Sequence, residues 1–336
     1  ADLRGRIAAE MNRMGAKGMR VLAIAAKQGE SAGGALTPES VADGFDFLGL
    51  IGMIDPPRAE AVEAIAACRR AGIVVKMITG DHRATASAIG AELQLADNGQ
   101  AVTGTELAGM DDAALQETVR TVHIFARVAP EHKLRLVKAL QSDNQVVAMT
   151  GDGVNDAPSL KQANIGVAMG IAGTAAAKES ADIVLADDNF ASISAAVEEG
   201  RRVYDNLLKS LAFLLPTNLG LALILIYGIM FFPFDPVTKV LLLPMLPTQL
   251  LWINLVAAVA LALPLAFEVK EPDVMRRPPR RPEAPLFNSF VVFRVVAVSV
   301  LMTAGTIALF NAEHQQQLAA GVAAPQALVK AQTMAV

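Results

Sequence analysis

Three apolar stretches, Leu207 to Phe232, Val240 to Phe267 and Phe290 to Phe310, limit what this chain can fold into. Each is long enough to cross roughly 30 Å of hydrocarbon, and three buried core helices of that length in a row are not expected of a globular domain. Residues up to about 200 read differently, alternating strand-like and helix-like patterns as an α/β domain does. At 53% hydrophobic residues with a mean hydropathy of +0.40, the composition agrees with a membrane-bound chain. A net charge of −4 implies no polybasic surface and argues against a nucleic-acid partner. The single cysteine, Cys68, excludes an internal disulfide and falls in the helical stretch Ala59–Arg70, where a small buried residue is expected. Arg201, Arg202 and Lys209 precede the first span, and Lys270, Arg276, Arg277, Arg280 and Arg281 follow the second, whereas the link between them has only Lys239. That asymmetry predicts a multi-pass protein of a plasma or bacterial inner membrane, with lipid around the spans and the α/β region in the cytoplasm. The tail after Phe310 is then external, ending as a further span begins.

Within the α/β region, Thr150-Gly-Asp-Gly-Val-Asn-Asp-Ala-Pro158 follows the apolar run Gln145–Met149, which reads as a buried strand. Two carboxylates four residues apart in a glycine-cushioned loop suit a hard divalent cation such as Mg²⁺, whose shell a phosphate completes. The spacing lets Asp152 face the ion while Asp156 braces the loop and Asn155 offers an amide to an anion. A second loop is built alike. The strand Gly72–Ile78 ends in Thr79-Gly80-Asp81 ahead of a helix over Thr85–Leu93, placing a hydroxyl and free backbone N–H groups where phosphate binds. In an open parallel sheet both loops lie at the carboxyl edge, where ligands collect. Between them, Phe125–Lys133 leads into an amphipathic helix over Leu134–Leu140. A lysine in a helix's first turn opposes the helix dipole, so Lys133 needs a compensating anion.

Asp55-Pro-Pro-Arg58, Met77-Ile-Thr-Gly-Asp81, Phe125-Ala-Arg-Val-x-Pro-x-x-Lys133 and Thr150-Gly-Asp-Gly-Val-Asn-Asp-Ala-Pro158 stand in the order found in P-type cation-transporting ATPases. The chain resembles the type II branch, which holds the calcium pumps and related sodium and proton pumps, from about Arg20 to Phe310. The resemblance implies a haloacid-dehalogenase-like (Rossmann-like) phosphorylation domain followed by a helical transmembrane domain, with ATP and Mg²⁺ as cofactors and an aspartyl-phosphate intermediate. It implies a phosphate-binding pair in Thr79 and Gly80, and nucleotide contacts in Arg20, Asp81 and Arg127. Lys133 then offsets charge on the transferred phosphoryl group, Asp152 ligates Mg²⁺, Asp156 supports it, and Asn155 is a phosphate-side amide. Asp55 and Arg58 match the hinge between nucleotide and phosphorylation domains. This division places the end of the nucleotide domain and a linker at residues 1–43 and the phosphorylation domain at 44–190. A stalk helix follows at 191–206, continuous with the first span and able to carry motion to the membrane, then the transmembrane domain at 207–336.

Departures from the family pattern also carry information. The Asp-Lys-Thr-Gly-Thr nucleophile segment and the Thr-Gly-Glu loop are absent, and residue 1 lies in a helical pattern without an initiator Met. The chain therefore reads as the rear piece of a larger pump, its missing partner being the front half of the same polypeptide. By itself it is expected to be inactive and poorly stable, because the absent nucleophile strand is central to the family's sheet. A membrane-tethered phosphatase would need a nucleophile strand of its own, and a non-catalytic remnant or regulatory partner of a pump is the other alternative. In the calcium pumps the first of these spans carries Asn and, three residues later, Glu; here Asn218 is followed by Leu221. The next span keeps Asn254 but has Ala257 and Ala258 where those pumps have Thr and Asp. No carboxylate lies within the three spans, so the transported cation is expected to meet amides and carbonyls, a poor match to the charged oxygens of tight Ca²⁺ sites.

Overall fold

The computed structural model describes residues 2–27, 44–95, 100–234, 239 and 241–336. The chain divides into two compact units, one of residues Ala1–Ala196 with Met275–Pro279, the other of Val197–Val274 with Arg280–Val336.

The first unit opens with α1 (Asp2–Gly15) and an antiparallel pair, β1 (Arg20–Ala26) on β2 (Asp46–Met53). There follow α2 (Ala59–Arg70), β3 (Met77–Ile78), α3 (Arg83–Glu92), β4 (Ala101–Thr103), α4 (Gly104–Ala108), α5 (Asp112–Thr121), β5 (Ile124–Ala126) and α6 (Pro130–Ser142). Then come β6 (Ala148–Gly151), a 3₁₀ turn (Val154–Asp156), α7 (Ala157–Gln162), β7 (Ile165–Met169), α8 (Ala175–Ser180) and β8 (Ile183–Leu185). Helix α2 matches its sequence reading; Glu60 and the pair Arg69, Arg70 sit at the ends where the helix dipole favours them. Cys68 is buried in it.

The parallel sheet is split. Strands run β3-β5-β4 in one three-stranded piece and β6-β7-β8 in the other, all parallel. Helix α6 joins the two. Its Leu136 packs with Leu107, Leu115, Val119 and Phe125, while the next residue, Val137, packs with Val147, Met149, Leu160 and Ala168. Burying each of these apolar side chains contributes about 1.5–3 kcal/mol, so this helix ties the two cores together. Ile78 of β3 touches both clusters, which puts β3 on the side of its half-sheet nearer β6. Among the described residues no strand pairs with the outer edge of β3 or of β6. The run Gly72–Ile78 accordingly forms ladder only at its last two residues, and Gln145–Met149 only from Ala148, leaving Val74 and Val146 exposed.

Lys76, at the amino end of β3, donates to the Val122 carbonyl at 2.6 Å, and burial lowers its pKa from 10.5 to about 8. Between those values the unfolded chain keeps the proton that the folded chain releases, so stability rises with pH across that window. Relative to Lys76→Met, the native protein is therefore expected to gain melting temperature from pH 8 to pH 10, with the gap between the two constant below pH 7.5.

In the second unit α9 (Phe190–Phe231), which begins in the first unit, is one continuous helix. The next span starts at Pro247 rather than Val240, because Pro244 and Pro247 hold residues 241–246 out of helix: α10 (Pro247–Val256), a π turn (Ala257–Ala262) and α11 (Leu263–Ala266). Helix α12 (Ser289–Ala319) runs past Phe310 through the helix-forming Glu and Gln residues of the tail. It ends before Gly321 at φ +79°, and α13 (Ala324–Ala335) folds back so that Ala331 and Ala335 cover Phe310. Among the described residues, three helices are long and apolar enough to cross a membrane. Pro216 leaves the Ala212 carbonyl without its helical donor, and Arg294 of α12 reaches it at 3.4 Å. Ser299 donates to the Pro216 carbonyl at 3.0 Å and Ser210 to Ala262 at 3.1 Å, polar ties of the kind that hold helices together in lipid.

Candidate active site

The loop after β3 is a self-bonded turn. Thr79 Oγ1 donates to Asp81 Oδ2 at 2.9 Å and accepts from the Asp81 N–H at 3.1 Å. Helix α3 begins only at Arg83, and His82 caps it through Nδ1, so Thr79 precedes the helix end by four residues. The loop after β5 locks onto this turn: Arg127 N–H donates to the Asp81 carbonyl at 3.1 Å, and Val128 N–H to that of Thr79 at 3.2 Å. Arg127 takes φ 50°, a left-handed conformation that a non-glycine residue holds only when its surroundings demand it. Gly104 permits this; a Cβ there would stand 2.3 Å from the Arg127 carbonyl oxygen.

The third loop is tied in by charge. Lys133 Nζ meets Asp156 Oδ1 at 2.5 Å, both side chains largely withdrawn from water. This is the anion that Lys133 requires in its first helical turn, and the pair spans the two half-sheets. Asp156 Oδ2 accepts from Gly153 N–H at 3.2 Å, and the buried Ser159 hydroxyl donates to the Asp156 carbonyl at 2.8 Å. Gly151 makes room: a Cβ would stand 2.5 Å from that of Asp156. Asp156 is thus committed to bracing. Asp152 and Asn155 are exposed, and among the described residues the Asp152 carboxylate has no hydrogen bond or ion pair.

Thr79, Gly80, Asp81, Arg127, Asp152, Asn155 and Asp156 therefore belong to three loops at the carboxyl ends of β3, β5 and β6, cross-bonded as above, and Lys133 to the first turn of α6 that follows the second of them. Arg20 lies apart from that network in β1, opposite Met53. Asp55 precedes α2, and Arg58, its N-cap residue, reaches the Asp188 carbonyl at 3.4 Å. Sequence reasoning missed the Lys133–Asp156 contact itself and the Arg58–Asp188 bond. In the second unit, Asn218 and Asn254 line one cavity of about 380 Å³ with Leu221, Ala222, Leu225 and Pro247, and among the described residues no carboxylate borders it.

Residues 9–164 and 133–197 match models of the haloacid dehalogenase-like hydrolases, and residues 242–336 match the C-terminus of cation transporting ATPases. The chain is 51% identical over 299 residues to the probable cation-transporting ATPase F of Mycobacterium tuberculosis, covering 88% of this chain and 32% of that protein. The chain belongs to the P-type cation-transporting ATPase family. It is also 45% identical to the cation-transporting ATPase pma1 of Synechocystis (98% of this chain, 36% of the relative) and 41% identical to the calcium-transporting ATPase of Bacillus subtilis (97% and 35%). It spans about a third of the length of these curated relatives. As a member of this family with three long apolar helices, it is a membrane protein.

P-type ATPases in general use Mg²⁺ and ATP, and the residues present fit both. Asp152 offers an uncommitted carboxylate at the carboxyl edge. A Cβ on Gly80 would meet nothing within 4 Å, so packing does not require glycine there and its backbone is open to a ligand. No group of three or more His, Cys, Asp or Glu that could hold a metal occurs among the described residues.

Proposed function

We propose that this chain is the C-terminal part of an ATP-driven cation pump that works through an aspartyl-phosphate intermediate. The observation that carries this reading is the Lys133–Asp156 bond, which draws the carboxyl edges of two half-sheets together while, among the described residues, no strand pairs with the outer edges of β3 and β6. A further strand of the same polypeptide, seated between those edges, brings the nucleophilic aspartate between Thr79 and Asp152. Thr79 and the open backbone at Gly80 bind the transferred phosphoryl group; Asp81, Arg127 and Asn155 orient the nucleotide, with Arg20 approaching from the neighbouring sheet. Lys133, anchored by Asp156, presents its remaining N–H donors to the phosphoryl oxygens. Asp152 would hold Mg²⁺, which when bound neutralises phosphate charge. Positioning and charge neutralisation of this kind are most of what phosphoryl transfer needs. The spans carry the cation out of the cytoplasm, with the first unit on the cytoplasmic side of a plasma or bacterial inner membrane.

The cavity at Asn218 and Asn254 offers amides without carboxylates, which favours a cation other than tightly bound Ca²⁺. The calcium-transporting name of the Bacillus subtilis relative favours the opposite reading. In the complete protein, Mg²⁺ and radiolabelled ATP are expected to give an acid-stable, hydroxylamine-sensitive phosphoprotein whose level depends on the transported cation, and none from residues 1–336 alone. Absence of that phosphoprotein overturns the pump reading. Submicromolar Ca²⁺ activation that Asn254→Ala abolishes decides for calcium.

A further inference from the structure

Asp188 lies outside the three loops described above, yet its bonds lead back to Asp152. Its two carboxylate oxygens accept from successive backbone groups, Ile171 N–H at 3.0 Å and Ala172 N–H at 2.7 Å. These amides belong to the tight loop between β7 and α8. That loop leaves no space for side chains at two points: a Cβ on Gly170 would stand 2.3 Å from the Leu185 carbonyl oxygen, and one on Gly173 1.9 Å from that of Met169. At its far end Thr174 N–H donates to the backbone carbonyl of Asp152 at 2.8 Å, while Thr174 Oγ1 caps α8.

Asp188 itself is held in place. It takes φ 50°, which Asp tolerates better than most residues. On one side of it, Asp187 accepts from Asn189 N–H at 3.1 Å and from the Ser192 hydroxyl at 2.6 Å. The two loop amides hold the Asp188 carboxyl below its ordinary range, so it stays ionised at neutral pH.

We propose that Asp188 is a positioning residue for the metal-binding carboxylate: it grips the Gly170–Thr174 loop, which fixes the Asp152 backbone and so aims the Asp152 side chain. Asp152 has no side-chain partner of its own among the described residues, so its direction is set through its backbone. Among the described residues, the Thr174 N–H is the backbone donor that ties the next loop to that backbone. The inference rests on the pump reading, in which Asp152 holds Mg²⁺, and adds a residue to that site which the sequence motifs do not include.

The test uses Asp188→Gly and Asp188→Asn in the complete protein, since both replacements accept the left-handed backbone and separate loss of the carboxylate from backbone strain. Mn²⁺ stands in for Mg²⁺, and its binding in the presence of orthophosphate is followed by electron paramagnetic resonance. Loss of an outer-shell partner typically weakens metal binding about 10–100-fold, and Asp188→Gly is expected at the lower end of that range, with Asp188→Asn between it and the native protein. Amide hydrogen exchange is expected to quicken in both the 170–174 and the 150–153 segments. Thr174→Pro suits the native φ of −67° and removes the N–H at the far end of the relay together with the hydroxyl that caps α8. Compared with Thr174→Ala, which removes the hydroxyl alone, it is expected to weaken Mn²⁺ to a degree similar to Asp188→Gly. It is also expected to add little when combined with Asp188→Gly. Unchanged Mn²⁺ binding alongside faster exchange at 170–174 overturns the proposal, leaving Asp188 a loop clamp. If the native protein shows no phosphate-dependent Mn²⁺ binding, the pump reading fails instead.

Discussion

Asp152→Ala in the complete pump is expected to remove phosphoprotein formation almost entirely while hardly moving the unfolding temperature. A bound Mg²⁺ supplies several kcal/mol of charge stabilisation in phosphoryl transfer, so losing its carboxylate costs about a thousandfold or more in the phosphorylation rate. The same side chain is exposed and makes no hydrogen bond or ion pair among the described residues, so little of the fold depends on it. Exposed substitutions of this kind stay within about 0.5 kcal/mol, which for a domain of this size shifts melting by no more than about 2 °C. The measurement is rapid-quench phosphorylation with labelled ATP beside calorimetry of the same preparation. A variant that melts several degrees lower would show that Asp152 is part of the packing rather than poised for an ion.

The site loops were legible in the sequence because their chemistry is local. Thr79 and Asp81 bond to each other two residues apart, and Asp156 bonds to Gly153 three residues apart, so short motifs carry most of that geometry. The lysine in the first turn of α6 was legible as an unsatisfied charge, though not by which partner it would be satisfied. What the sequence could not carry was distance along the chain. The Lys133–Asp156 bond spans 23 residues and the Arg58–Asp188 bond 130, and neither leaves a periodic trace. Strand lengths were overread for a related reason. Apolar runs such as Gly72–Ile78 report a capacity to be buried, whereas ladder assignment needs a neighbour, and β5 begins late enough to pair only Met77 and Ile78.

For the long apolar helices, hydropathy gave their existence but not the residues at which helix begins and ends. Pro247 starts a helix seven residues after the apolar run begins, because backbone chemistry rather than hydropathy decides where helix is possible. Asn218 and Asn254 were chosen by resemblance from different helices, and they line one cavity. Arg294 was overlooked. Its place near the start of a long apolar helix hides the fact that Pro216, far off in sequence, has left a carbonyl in need of a donor.

Lys133→Met is expected to match Asp152→Ala in lost phosphorylation and to differ from it in stability. A preorganised positive charge aimed at the phosphoryl oxygens is worth about 10²–10³ in rate. Its removal also strands the Asp156 carboxylate, whose side chain is only 8% exposed, with a single Gly153 N–H for company. Breaking a fully buried pair costs about 3–5 kcal/mol; Lys133 retains 19% exposure, so about 2–3 kcal/mol is expected here. The second change Asp156→Asn removes the stranded charge and keeps an oxygen for Gly153. The double variant is therefore expected to melt above Lys133→Met alone while remaining inactive, with a coupling of about 1–2 kcal/mol between the two sites. Stability and catalysis part company in that comparison: rescue of folding without rescue of phosphorylation assigns Lys133 to the reaction as well as to the joint between the half-sheets. Equal melting of Lys133→Met and the native protein would mean that the pair contributes nothing to holding the two half-sheets together, and the closure of the site around one lysine would lose its physical basis.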